Sequence, residues 1–284
     1  MNHVSIVLPA KNEGPALKVL LPHLRGTHPD AEIIIVDDGS TDDTRVICQE
    51  AGVICLSSPY SMGNGAAIKR GARAATGSIL IFMDGDGQHD PADISRLMEK
   101  LEQGYDMVVG ARDWESQAGV GRGIANTTYN WLATRITGHH IEDLTSGFRA
   151  VRADKFREFL YLLPNGFSYP TTSTMAFFRS AYPVAYIPIK AAQRVGKSHI
   201  KPIRDGIRFF LIIFKIATLY SPLKLFVPVS VIFLFLGLAN YFYTYLKDGR
   251  LTNMSTLLWS ASVIVFLIGL ISEQITALTY RRHD

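Results

Sequence analysis

Along the first 190 residues, short β-branched runs alternate with stretches whose apolar residues recur at helical spacing, a pattern that predicts an α/β fold with a largely parallel sheet. The apolar runs predict strands at Ser5–Leu8, Glu32–Val36, Val53–Leu56, Ser78–Met83, Met107–Gly110 and Val184–Ile187. Helices fill the intervals, most clearly Gly14–Leu24, Asp42–Ala51, Asn64–Ala75 and Pro91–Gln103. Asp90 and Pro91 suit the cap and first-turn proline of the last of these. The chain carries no internal repeat and no low-complexity segment.

Beyond residue 199 the pattern changes twice. From Ile200 to Tyr220 the basic residues Lys201, Arg204, Arg208 and Lys215 share one helical face, and Ile203, Ile207, Phe210 and Phe214 line the other. Such a helix lies in the headgroup plane of a membrane or packs on a soluble domain. Leu223–Leu246 and Thr256–Tyr280 then form two mainly apolar stretches, each of about the 20 residues that cross a bilayer core. Glu273 is the one acid inside the second stretch. A buried hairpin in a soluble core is the alternative, disfavoured by the length of the runs and by their flanks, Lys247-Asp-Gly-Arg250 and Arg281-Arg282. Three parts are expected: 1–199 as the α/β domain, 200–222 as an amphipathic interfacial segment, and 223–284 as a two-helix transmembrane hairpin with a short tail.

Charge sets the expected orientation. Lys215, Lys224, Arg281 and Arg282 flank the outer ends of the spans against Lys247 and Arg250 in the loop between them, so the large domain should face the cytoplasm as part of an integral protein of the cytoplasmic membrane. The opening Met-Asn-His-Val enters a strand at once, and no signal peptide is expected. Cys48 and Cys55 fall in a helix and the next strand, where they serve as small apolar residues. No nucleic-acid partner is expected.

The chemistry concentrates in Met83-Asp-Gly-Asp-Gly-Gln-His-Asp-Pro91. In an open α/β sheet, ligands bind outside the carboxyl ends of the strands, so the strand before Asp84 would deliver Asp84 and Asp86 to a crevice. Two carboxylates suit a hard divalent cation whose shell is completed by phosphates and water. An Asp/Gly-rich solvated turn is the plain alternative. Pro9-Ala-Lys-Asn-Glu13, Asp37-Asp-Gly-Ser-Thr-Asp-Asp43 and Gly63-Asn-Gly-Ala-Ala67 end or begin elements at the same side of the sheet. Asp38 suits a ribose or base acceptor, although Ser40, Thr41 or Asp42 would equally cap a helix. The glycines of the third loop would let backbone N–H groups approach phosphate, without the spacing of a Rossmann or P-loop fingerprint. Gly196-Lys-Ser198 is no P-loop, because Ala191 stands where the first glycine is needed.

Taken in order, IVLPAKNE, IIIVDDGSTDDT, GNGAAIKRGARAATG, ILIFMDGDGQHDP, VVGARD, LTSGFRAV and QRVGKSHI resemble family-2 glycosyltransferases of the GT-A fold over about residues 4–200. With the two spans, the chain is similar to the dolichyl-phosphate mannose synthase and polyprenyl-phosphate hexose synthase branch. The resemblance implies a Rossmann-like GT-A domain that moves a hexose, from a donor of the GDP-mannose or UDP-glucose type, to a polyprenyl or dolichyl phosphate with inversion. It implies a nucleotide-sugar site formed by Pro9, Lys11, Glu13, Val36, Asp38, Asp84, Gly85, Asp86, Gln88, Arg112, Arg194 and Lys197, with Asp86 and Arg112 as catalytic residues. Asp84, Asp86 and Gln88 would hold Mg or Mn, and Arg122 would meet the acceptor phosphate. Lys11 stands where relatives often carry an aromatic residue.

Asp143 is the obvious candidate base for a hydroxyl acceptor, but an orienting or ion-pair role, with Arg149 as one candidate partner, is the preferred reading, since an ionised phosphate acceptor needs no base. Two rival functions remain open. A processive polysaccharide synthase would need a channel, a base and usually a QxxRW motif, which QRVG lacks. A non-catalytic membrane adaptor would be expected to have lost Asp84, Asp86 or Gln88. A homo-oligomer is compatible with either reading.

Overall fold

The computed structural model describes residues 3–112, 120–166, 168–190 and 221–280, with single positions between 211 and 220. The chain divides into two compact units, Met1–Asp205 and Gly206–Asp284.

In the first unit, strands β1 (Val4–Ala10), β2 (Glu32–Asp37), β3 (Ile54–Ser57), β4 (Ile79–Phe82), β5 (Met107–Arg112), β6 (Arg149–Arg152) and β7 (Val184–Ile189) form one seven-stranded sheet, in the order β3-β2-β1-β4-β6-β5-β7. Their apolar runs explain why they are central: Ile6, Leu8, Ile33, Ile35, Ile79 and Ile81 are all buried in one core. Three helices cover that face, α1 (Gly14–Thr27), α2 (Thr44–Glu50) and α4 (Asp93–Glu102), with Leu17, Leu21, Leu24, Leu97 and Leu101 buried among the strand residues. Fully burying each such side chain is worth roughly 1.5–3 kcal/mol. Helix α3 (Asn64–Ala74) packs on β1 and β2. Helices α5 (Val120–Thr137), α6 (Ala153–Glu158) and α7 (Tyr169–Arg179) complete the unit.

All six expected strands and four expected helices form, with ends shifted by a few residues. Helix α4 starts after a turn in which Asp90 Oδ1 accepts the Ala92 N–H at 2.9 Å, so Asp90 caps the turn and Pro91 precedes the helix. The seventh strand, β6, has no counterpart among the sequence expectations, because Arg149-Ala-Val-Arg152 sets a cation at each end of two apolar residues. It runs antiparallel between β4 and β5, pairing Arg149 with Phe82 and with Val109, so the sheet is mostly rather than wholly parallel.

The second unit is a helical hairpin of α8 (Pro222–Asp248) and α9 (Asn253–Tyr280), both long and apolar enough to cross a membrane, with mean hydropathy 2.1 and 2.2. Gly249, at φ 66°, ends α8 in the left-handed conformation. Large apolar side chains such as Phe235, Leu236, Ile264 and Ile271 face outward. The inner seam is polar and small: Ser230 and Ser262 exchange hydroxyl-to-carbonyl hydrogen bonds of 2.9 and 2.8 Å, and Asn240 Nδ2 donates to Ser255 Oγ at 2.9 Å. Glu273, the lone acid of the second span, accepts the Leu223 N–H at 3.3 Å and the Ser221 hydroxyl at 3.4 Å, and so caps the start of α8.

Candidate active site

The carboxyl ends of β1, β2 and β4 open into a cleft of about 460 Å³ lined by Pro9, Lys11, Glu13, Asp38, Asn64, Asp84, Gly85 and Asp86, among others. A second, more apolar cleft of about 770 Å³ adjoins it, sharing Glu13 and Asp86 and adding Gln88, His89 and Lys190. The first cleft thus gathers most of the donor residues that the family resemblance implies. Val36 is elsewhere: its side chain is fully buried beneath α3. Arg194 and Lys197 lie outside the described residues, as does the side chain of Arg122, whose backbone opens α5.

The loops around the cleft are tied by acids, of which Asp38 itself lines it. Asp37 Oδ1 accepts the Ser40 N–H at 2.8 Å and Oδ2 the Arg45 Nε–H at 2.6 Å. Asp42 accepts the Gly14 N–H at 3.1 Å and the Thr44 N–H at 3.1 Å, so the capping group at the start of α1 comes from the next crossover loop. Asp38 accepts from Met62 N (2.6 Å), Gly63 N (2.9 Å) and Ser61 Oγ (2.6 Å), and thereby fixes the loop that leads into α3. Ser61 escaped the sequence reading because nothing local marks it as the partner of an acid 23 positions earlier.

The GNGAA glycines do a different job from the one expected. Gly65 N donates to Gly166 O at 3.1 Å and Ala66 N to Asn165 O at 2.8 Å, so these two N–H groups of the first turn of α3 are taken by backbone rather than offered to phosphate. A Cβ at Gly65 would fall on the Pro164 carbonyl oxygen. The glycine is there for close approach of a neighbouring loop.

At the end of β4, Asp84 and Asp86 are half-buried and border the same cleft. Asp84 lies against the turn that precedes β6: a Cβ at Gly147 would stand 3.0 Å from Asp84 Oδ2, so any larger residue there would push against the carboxylate. Tyr169 braces the turn from below by donating its hydroxyl to Gly147 O at 3.0 Å, and burial raises its pKa. His89 stacks on Phe148 at 4.9 Å between ring centroids, joining the Asp84–Asp90 loop to the same turn, and burial lowers its pKa to about 4, which keeps it neutral. The donor set suits a hard cation. Two carboxylates border an open cleft, and a hard divalent cation takes one or two carboxylates with phosphate oxygens and water completing its shell.

Arg112, at the end of β5, is held by Asp143. Its Nε donates to Asp143 Oδ2 at 2.8 Å and its Nη2 to Oδ1 at 3.1 Å, and Nη2 also reaches Thr145 Oγ1 at 2.7 Å. The candidate pairing from the sequence, Asp143 with Arg149, does not occur: Arg149 points its guanidinium to the other side of the turn, into neutral acceptors. Asp143 further accepts the N–H groups of Thr145 and Ser146, both at 3.0 Å. Burial alone would raise its pKa, but the Arg112 guanidinium and these N–H groups outweigh burial and hold it below the ordinary carboxylate range. Desolvation would likewise lower the Arg112 pKa, and Asp143, with a smaller contribution from Asp84, raises it instead.

Residues 5–160 match glycosyl transferase family 2, and residues 221–278 match the GtrB C-terminal hairpin. The chain is 27% identical to glycosyltransferase AglJ of Haloferax volcanii over 78% of its own length and 74% of that protein's. It is 25% identical to the polyprenol monophosphomannose synthase of Mycolicibacterium smegmatis, over 71% of this chain and 83% of that protein. The undecaprenyl-phosphate 4-deoxy-4-formamido-L-arabinose transferase of Pectobacterium carotovorum is 35% identical over 54% of this chain, a match that spans about half, 49%, of that protein's length. Among solved structures, glucosyl-3-phosphoglycerate synthase from Mycobacterium tuberculosis, in complex with Mn2+, uridine diphosphate and phosphoglyceric acid, superposes with a TM-score of 0.62 at 19% identity, covering 76% of this chain and 78% of that one. That likeness establishes the GT-A-like fold. With the family match running over more than half of its 284 residues, from the first strand through β6, the chain belongs to glycosyl transferase family 2.

Proposed function

We propose that this protein transfers a hexose from a nucleotide sugar to a polyprenyl phosphate, with inversion at the sugar carbon, at the cytoplasmic face of a membrane. The observation that carries the reading is the state of Asp143. Its two oxygens are occupied by Arg112 and by turn N–H groups, and its pKa is held low, so the acid that the sequence offers as a base is committed elsewhere. A hydroxyl acceptor needs a base to take its proton. A phosphate monoester, with a second pKa near 6, is largely ionised at pH 7 and needs none. One of its oxygens attacks the sugar carbon, the bond from that carbon to the donor diphosphate breaks, and the nucleoside diphosphate leaves with the bonding pair.

This chain's own residues prepare that exchange. Pro9, Lys11 and Glu13 form the wall for the nucleoside, while Asp38 holds the loop that closes its other side. Arg112 brings a fixed positive charge to the diphosphate end, its geometry set in advance by Asp143. Asp84 and Asp86, with Gln88 beside them, would hold Mg or Mn, which would neutralise the charge developing on the leaving diphosphate. Arg194, Lys197 and Arg122 enter this proposal as further phosphate-binding cations on the strength of the sequence motifs alone.

Support for the acceptor comes from two further directions. The polyprenol monophosphomannose synthase and the undecaprenyl-phosphate arabinose transferase among the relatives are named for polyprenyl-phosphate chemistry, and the apolar hairpin associates the chain with a membrane, where such an acceptor resides. The basic face of Ile200–Tyr220 would then lie at the headgroups. The proposal is tested by incubating the purified protein with a panel of nucleotide sugars, a short polyprenyl phosphate and Mg or Mn, and weighing the lipid product. A lipid-linked hexose with loss of nucleoside diphosphate is expected, and elongation of a free glycan instead would overturn the reading. Orientation is tested separately: a cysteine at Gly249 should be labelled from outside the membrane and one at Asp284 should not.

A further inference from the structure

Arg149 is fully buried in the middle of the sheet, opposite Phe82 of β4 and Val109 of β5. Its Nη1 donates to Pro170 O at 3.0 Å, Ser173 Oγ at 2.9 Å and Thr174 Oγ1 at 3.2 Å, and its Nη2 donates to Ser146 O. The ring of Tyr169 lies 5.8 Å from the guanidinium carbon. Every one of these partners is neutral. None of the ion pairs among the described residues includes Arg149. A guanidinium stays charged in proteins, so the fold keeps a cation out of water without an anion in contact, where an apolar side chain of similar volume would pack more cheaply.

The position of the charge gives it a purpose. Besides the phenols of Tyr169 and Tyr186, the carboxylates whose fields reach Arg149 are Asp143 and, more weakly, Asp84, and what intervenes toward Asp84 is the turn itself, with Gly147 against the Asp84 carboxylate and Ser146 O on the guanidinium. We infer that Arg149 is a positioning residue for the donor diphosphate, its desolvated charge offsetting Asp84 from behind so that a polyanion can settle beside that carboxylate. The inference rests on the donor-site reading above. Away from water the charge is weakly screened and acts through the turn without touching the ligand.

This role has a signature that packing alone does not share. A cation behind that carboxylate opposes the binding of a bare divalent ion and favours the binding of a diphosphate. In the full-length protein, Mn2+ alone should therefore bind R149M at least as tightly as wild type by electron paramagnetic resonance. UDP or GDP in saturating Mn2+ should bind about tenfold more weakly, as expected for one charge lost at moderate range in a partly shielded site. R149K should recover most of the nucleotide affinity, because the charge returns while the fork of hydrogen bonds does not. If R149M lowers the melting temperature too far to be assayed, R149Q against R149K makes the same comparison. Parallel weakening of Mn2+ and nucleotide, or no change in either, overturns the inference and leaves the donor reading standing. Wild-type protein that binds neither nucleotide with Mn2+ overturns both.

Discussion

In the sheet unit a buried carboxylate, Asp143, is taken up by the backbone and side chain of Arg112 and by the N–H groups of Thr145 and Ser146, and the result is a guanidinium fixed at the end of β5. In the hairpin, Ser230 and Ser262 exchange two hydrogen bonds and Asn240 spans to Ser255, and the result is two long helices held in register. Both regions hide polar groups, but the first relies on a charged pair, whereas the seam of the second is held by hydroxyls and an amide, with the Glu273 carboxyl confined to the start of α8. A buried charge is costly unless fully partnered, so its partners are over-determined and its geometry is rigid, which is what a reaction needs. Neutral polar pairs between apolar helices are individually weak, and small residues along the seam supply close packing as well.

Asp143→Asn should show the largest effect. It leaves Arg112 without its anion and should cost about 3–5 kcal/mol in chemical denaturation of the detergent-solubilised protein. The sign with pH follows from the depressed pKa of Asp143 in the fold. Its stabilisation is complete above the unfolded carboxyl value near 4 and is lost as pH falls through the lower folded value. The variant should accordingly show a flatter acid limb of stability than wild type. An unchanged limb would mean that Asp143 is not the partner that holds Arg112.

Asp86→Ala sharpens the contrast from the other side, since Asp86 borders the cleft rather than the core. Transfer should fall by at least about 100-fold, roughly 2.7 kcal/mol in the barrier, with stability moved by no more than about 0.5 kcal/mol. Near-normal turnover that still requires Mg or Mn would remove Asp86 from the metal assignment.

Gly65→Ala probes a neutral close contact in the sheet unit, where the new methyl would meet the Pro164 carbonyl. A loss of about 1–3 kcal/mol is expected, together with a higher KM for the donor as the start of α3 shifts. A KM unchanged despite the lost stability would show that this loop does not shape the donor cleft.

The smallest effect belongs to the hairpin. Ser262→Ala deletes one hydroxyl of the Ser230 pair and should cost about 0.6 kcal/mol by steric trapping in bicelles, with turnover in detergent unchanged. A loss as large as that of Asp143→Asn would erase the distinction between the two regions.

The two carboxylates of Asp84-Gly-Asp86 were legible in the sequence because they follow an apolar run that can only be a strand, and a strand end in an open sheet is where ligands bind. The hairpin was legible for an equally local reason, since about 20 consecutive apolar residues satisfy a bilayer whatever their partners are. Six strands and the helices between them followed from periodicity, which is a property of neighbours along the chain. What the chain does not announce is which distant groups share a partner. Only the tertiary structure turned Asp143 toward Arg112 rather than Arg149, gave Asp38 to the loop at Ser61–Gly63, used the GNGAA glycines to admit a neighbouring backbone, and set Arg149-Ala-Val-Arg152 as an antiparallel strand in the middle of the sheet. Each of those choices is made by desolvation and by contacts between residues far apart in sequence, and a burial that decides the partner of a charge exists only once the layers have closed around it.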